Sequence, residues 1–191
     1  MKRLGFSLGL AIVFCGAMSA MANAAGFSFR TVLFKGDTFT QLLGIDDFDL
    51  VAGYHGATVN KGFVFTLPNH FTSENFPASL QTQVTGINDN FKTSGFYIDG
   101  DEVTHGFLRT RGAVFSTVDF PGTEFNQLLG LNFRGQAVGY FADSPGFTVD
   151  HAYIYDEGGN TFLQIVNAAW TSSQATGHQR PGSGLRILRR H

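Results

Sequence analysis

The chain has 191 residues, a formal net charge of −2, one cysteine and 21 phenylalanines. Over residues 26–177, 7 Lys and Arg stand against 15 Asp and Glu, a sum of 7 − 15 = −8; no cluster of basic residues is present to meet phosphates, which excludes nucleic acid as a partner. The one cysteine, Cys15, lies near the N-terminus, so the rest of the chain has no disulfide and must be stabilised by packing.

In chain order, Lys2 and Arg3 precede an apolar stretch from Leu8 to Met18, and Ala22-Asn23-Ala24 offers small residues for cleavage. This predicts a signal peptide over residues 1–25 and a secreted or periplasmic product. The apolar run is too short to span a membrane, and Phe14 before Cys15 argues against a lipid anchor.

From there the chain repeats. Four sixteen-residue copies share one register: Phe29 to Gly44, Phe71 to Gly86, Phe115 to Gly130 and Phe162 to Gly177. Each has Gln three places before its closing Gly (Gln41, Gln83, Gln127, Gln174), and three carry Phe at the sixth place (Phe34, Phe76, Phe120). The closing glycines are 86−44 = 42, 130−86 = 44 and 177−130 = 47 residues apart. Nine residues after each of the first three comes a second Gly followed by an aromatic: Gly53-Tyr54, Gly95-Phe96, Gly139-Tyr140. A small-aromatic-aliphatic run follows, as Gly62-Phe63-Val64, Gly106-Phe107-Leu108 and Ala152-Tyr153-Ile154, with His105 and His151 before the last two and Lys61 before the first.

A period of this length means one supersecondary unit used several times. Short alternating runs bounded by turn clusters, such as Glu157-Gly158-Gly159-Asn160, predict four strands joined by hairpins in each unit. The expected strands cover residues 29–34, 39–45, 50–55, 61–66, 71–76, 81–87, 93–98, 104–109, 113–119, 126–131, 136–142, 151–155 and 161–166. The predicted fold is all-β: propeller-like repeats of four-stranded antiparallel meanders, about three blades plus a partial one, over residues 26–177. A β-solenoid is the alternative. The second-half glycines are expected at bulges or close backbone approaches.

Residues 178–191 break the pattern. Four arginines (Arg180, Arg186, Arg189, Arg190) crowd into this tail, and His178-Gln179-Arg180 can be encoded so that a one-base shift restores Ile-Asn-Asp. The expectation is a disordered basic tail read out of frame.

Candidate chemistry is sparse. Asp46, Asp47 and Asp49, and Asp99, Asp101 and Glu102, are acidic turn clusters whose oxygens could ligate Ca²⁺, although neither follows the twelve-residue calcium loop; solvated turns explain them as well. His105 and His151 hold one repeat position and are expected to hydrogen-bond across a turn. Trp170 is a candidate ligand platform or core residue. No nucleophile elbow, catalytic triad order or paired catalytic carboxylate is found, and no cofactor motif.

The series Gly-[Ile/Leu]-[Asn/Asp], Gly-aromatic and His-[Gly/Ala]-[Phe/Tyr]-aliphatic resembles the HAF-type extracellular repeat of bacteria, here as His105-Gly106-Phe107 and His151-Ala152-Tyr153. The resemblance covers residues 27–177 and implies secretion and a propeller-like β-fold; it brings no activity. The expected function is a secreted, non-enzymatic β-repeat module that binds or scaffolds an extracellular or periplasmic protein or glycan, and that self-associates through open strand edges. The alternative is a fragment of a secreted propeller hydrolase or lyase.

Overall fold

In the computed structural model, the described residues are 29–68, 70–143, 146, 148–178 and 185–190, with backbone alone for 178 and 185–190. The expected signal peptide lies outside them, as do residues 179–184 and 191. The chain divides into two units, 1–31 and 32–191; the second carries the fold.

Among the described residues the structure is all-β, with three four-stranded antiparallel sheets, one two-stranded sheet and no helix. The first sheet runs β1 (Thr40–Ile45), β2 (Leu50–His55), β3 (Lys61–Thr66) and β4 (His70–Ser73). The second runs β5 (Gln81–Ile87), β6 (Thr93–Ile98), β7 (Thr104–Arg109) and β8 (Phe115–Thr117). The third runs β9 (Asn126–Leu131), β10 (Gln136–Ala142), β11 (Asp150–Asp156) and β12 (Thr161–Gln164). Each is a meander in sequence order, and none closes on itself. β13 (Ser172–His178) pairs with β14 (Leu185–Arg190) alone.

Two expectations are corrected. Residues 29–34 form no strand. The chain there is held at Phe34, whose N–H donates to Thr40 Oγ1 at 2.9 Å and whose ring lies parallel to His55 at 3.6 Å; side-chain anchoring takes the place of a ladder. Residues 185–190, expected to be disordered, form β14. They pair antiparallel along β13, from Ser172 opposite Arg190 to His178 opposite Leu185.

The first two strands of each four-stranded sheet are joined by a turn built on one side chain. Asp46 Oδ1 accepts from the N–H groups of Phe48 and Leu50, Asn88 Oδ1 from Asn90 and Lys92, and Asn132 Oδ1 from Arg134 and Gln136. This is the Asx device that favours Asp and Asn in turns, and it explains the [Asn/Asp] of the repeat motif. The fourth residue of each turn has a positive φ: Asp49 at 63°, Phe91 at 57°, Gly135 at 84°.

The sheets pack face on face, and the core lies between them. Ala52 of the first sheet clusters with Val84, Ile87, Tyr97 and Phe107 of the second. Leu108 and Val118 cluster with Leu128, Leu131 and Phe141 of the third sheet. Val138 and Ala152 cluster with Ala175 of β13. The sixth-place phenylalanines lock each connection onto the sheet that follows it. Phe76 stacks on Tyr97 at 3.7 Å and Phe120 on Phe141 at 4.3 Å, repeating the Phe34–His55 pair. Each also meets a fourth-strand ring edge on, Phe34 with Phe71 at 5.1 Å, Phe76 with Phe115 at 5.4 Å and Phe120 with Phe162 at 5.5 Å, an arrangement that adds to the area it buries.

Candidate binding cleft

The first strands of the four sheets converge. A β-carbon built on Gly44 would lie 3.0 Å from Gly86 Cα, one on Gly86 would lie 3.1 Å from Gly130 Cα, and one on Gly130 would lie 3.4 Å from Gly177 Cα. The closing glycines therefore touch one another backbone to backbone, in chain order, along β1, β5, β9 and β13. Hydrogen bonds run between the same sheets: Thr85 Oγ1 donates to the Leu128 carbonyl at 2.8 Å, and Asn88 Nδ2 to the Asn132 carbonyl at 2.8 Å.

Each of these strands carries a β-bulge immediately before its closing glycine. The pairing skips from Leu42 to Gly44, Val84 to Gly86, Leu128 to Gly130 and Ala175 to Gly177. The skipped residues are Leu43, Thr85, Leu129 and Thr176. All four line one cavity of about 330 Å³. Bulges re-aim side chains and recur beside functional sites; here the same bulge in four units turns four residues toward one space. A cavity of this size lies within the range of small-molecule sites.

Gln41, Gln83 and Gln127, two residues before each bulge, line it as well, together with Tyr54 and Phe96 from the paired second strands. The amides are held at one end. Tyr54 Oη donates to Gln41 Oε1 at 2.5 Å and Tyr140 Oη to Gln127 Oε1 at 2.9 Å. Where the second unit has Phe96 in place of Tyr, Gln83 Nε2 donates instead to Asn60 Oδ1 at 2.6 Å. Gln174, the fourth member, donates from Nε2 to Asp150 Oδ2 at 2.7 Å. Burial, and secondarily the charge of Asp150, pushes the Tyr140 phenol up to about 12; burial also raises Tyr54. Both therefore remain neutral donors at physiological pH.

The glycines of the second strands serve the same bulges. A β-carbon on Gly53, Gly95 or Gly139 would drive into the carbonyl oxygen of Gln41, Gln83 or Gln127. Close backbone approach at these sites was legible in the repeat; the carbonyl that causes it was not.

The acidic clusters are taken up by turns. Asp46 is buried and caps its turn, while Asp47 and Asp49 are exposed. Asp99 Oδ1 accepts from the N–H groups of Asp101 and Val103, and its Oδ2 lies 3.3 Å from His105 Nε2. Among the described residues no group of three or more His, Cys, Asp or Glu side chains is placed to hold a metal ion.

His105 and His151 stand on β7 and β11, in different sheets. His105 Nδ1 contacts Asp119 Oδ2 at 2.7 Å, and Asp119 Oδ1 accepts the Gly106 N–H. His151 Nε2 contacts Asp143 at 2.9 Å and its Nδ1 lies 3.4 Å from Gln164 Nε2. A second cavity, of about 260 Å³, is lined by His151, Trp170 and Ser172 among others. There the serines are committed to the main chain: Ser172 Oγ accepts from the Asp150 N–H and Ser173 Oγ from the Ala152 N–H.

Sequence reasoning singled out the glutamines and glycines as repeat positions but missed Tyr54, Phe96 and the bulged residues as lining. The available signal was register: a residue one place before every closing Gly is unpaired if that Gly marks a bulge. Among the described residues no helix is long and apolar enough to cross a membrane. No family model, curated protein or solved structure matches the chain.

Proposed function

We propose that this chain is a secreted or periplasmic, non-enzymatic β-repeat module, of the HAF type and propeller-like in arrangement, that binds a ligand in the cleft between β1, β5, β9 and β13. The observation that carries the reading is the lining itself. The same two register positions from successive units supply one cavity, so the repeat builds a site as well as a core. Of the side chains that line it, only the Tyr54 phenol titrates, and it is held neutral. General acid–base or nucleophilic chemistry needs a group poised near the working pH or an activated nucleophile; this cleft offers neither, whereas oriented amides among apolar walls are the composition of a binding pocket.

A secreted hydrolase or lyase would have to work elsewhere. Its best location is the second cavity, where His151 is engaged by Asp143 and Gln164 and both serines serve backbone amides. The test is a screen of the purified protein on polysaccharide and ester substrates beside a binding assay on the same compounds. Binding without turnover is the expected result. Turnover abolished by His151→Gln would overturn the reading.

A further inference from the structure

We infer that the cleft takes a neutral oligosaccharide, a chain of repeated hydroxyl-bearing units. The inference rests on the binding-module reading above. It starts from the amide row. Gln41, Gln83 and Gln127 sit at one register position on β1, β5 and β9, and each is fixed at one end by its neighbour. The ends left to face a ligand are Nε2 of Gln41, Oε1 of Gln83 and Nε2 of Gln127. In unit order these are donor, acceptor and donor.

A hydroxyl both donates and accepts, so it answers either end of an amide. An extended peptide also alternates C=O and N–H groups, so it is the competing occupant that the second arm below tests. A charged ligand is disfavoured because the lining has no counter-charge, and a buried charge without a partner is costly. The apolar part of the remaining wall is the Leu43 and Leu129 side chains and the Phe96 ring, beside Tyr54, Thr85 and Thr176. The negative face of an aromatic ring suits the weakly positive C–H edges of a sugar ring. Finally, the same amide occurs once per sheet, so a ligand that engages all three must repeat as the protein does.

The probe is electrophoresis of the full chain through gels containing a soluble β-1,4-glucan, α-1,4-glucan, β-mannan or xylan, with polygalacturonate as the acidic control. Retardation is expected in at least one neutral gel. It should persist near 1 M salt, where the Debye length is about 3 Å. Gln41→Ala and Gln127→Ala, whose thermal midpoints should match the parent, should each bind about tenfold more weakly, as the loss of one or two hydrogen bonds gives. Retardation by polygalacturonate alone, by no neutral gel, or equally in the Gln variants overturns the inference.

A second arm separates this inference from the reading beneath it. Leu43→Cys places a thiol in the cleft, and its maleimide labelling is measured above the parent's Cys15 background. Protection by a neutral polysaccharide supports both. Protection by a random peptide pool and by no polysaccharide sinks the carbohydrate inference and leaves a binding module. Protection by neither sinks both.

Discussion

The carbonyl oxygen of Gln83 occupies the space that a side chain on Gly95 would need. The contact lies at the bulge, where β5 skips Thr85 and pairs Val84 with Gly95. Gly95→Val must push back that carbonyl and the Phe107 ring, whose Cε1 lies 2.8 Å from the site of the new β-carbon. Gly139→Val meets the Gln127 carbonyl in the same way. Each should destabilise by about 1–3 kcal/mol in chemical denaturation. Gly100, with open space around it, should tolerate Val far better. Equal, negligible losses at all three positions would remove the role given to these glycines.

Asp46 points to a substitution that should stabilise. Its Oδ2 is buried with no hydrogen-bond partner. At the same position in the next unit, Asn88 Nδ2 donates to the carbonyl of Asn132. Asp46→Asn keeps the Oδ1 cap and adds the missing donor toward the neighbouring turn. A gain of about 1 kcal/mol at neutral pH is expected. Asp46→Ala, which removes the cap, should lose about as much. A destabilised Asn variant in urea titration contradicts the assignment.

The first sheet exposes what the others bury. Leu42 is 42% exposed and Ile45 65%, whereas their counterparts Val84 and Ile87 are 0% and 7% exposed, and Leu128 and Leu131 are 0% and 8%. The counterparts are covered by the preceding sheet. Apolar surface of this kind favours association, by a face rather than by the strand edges that sequence suggested. Sedimentation of the full chain should show oligomers at moderate concentration. Leu42→Gln with Ile45→Lys should shift them toward monomer, and a parent that already runs as a clean monomer would refute the face.

His105 gives stability a pH dependence. Burial works against its charged form, but the hydrogen bond and charge of Asp119, with Asp99, outweigh it and raise its pKa. A raised folded-state pKa means the contribution is fully present below the unfolded value of about 6.5 and is lost as pH rises through the folded value. The thermal midpoint of the parent should therefore fall more steeply above about pH 6.5 than that of His105→Gln. Parallel curves for the two proteins would show that the imidazolium contributes nothing.

How much of this could be read beforehand differs from residue to residue. The meanders were legible because alternation and turn clusters are local signals. The strand over 29–34 was misread because Phe29 matches Phe71, Phe115 and Phe162 in the repeat, which stand on β4, β8 and β12, yet it is exposed and pairs with no strand; Phe34 anchors a connection, as Phe76 and Phe120 do. The cleft was only half legible. Gln41, Gln83 and Gln127 stood out by recurrence, but Leu43, Thr85, Leu129 and Thr176 differ from copy to copy and share only a backbone irregularity. β14 was missed because the repeat register stops at Gly177 on β13, and residues 185–190 carry none of its marks.

The contacts among Gly44, Gly86, Gly130 and Gly177 make the repeat a ruler marked in main-chain atoms. At these marks the approach between units is set by main-chain contact, so the residue one place before each mark need not be the same in every unit. Leu, Thr, Leu and Thr at those places are what such freedom looks like. A lineage built this way can rewrite what it recognises one graduation at a time while the scale itself stays fixed.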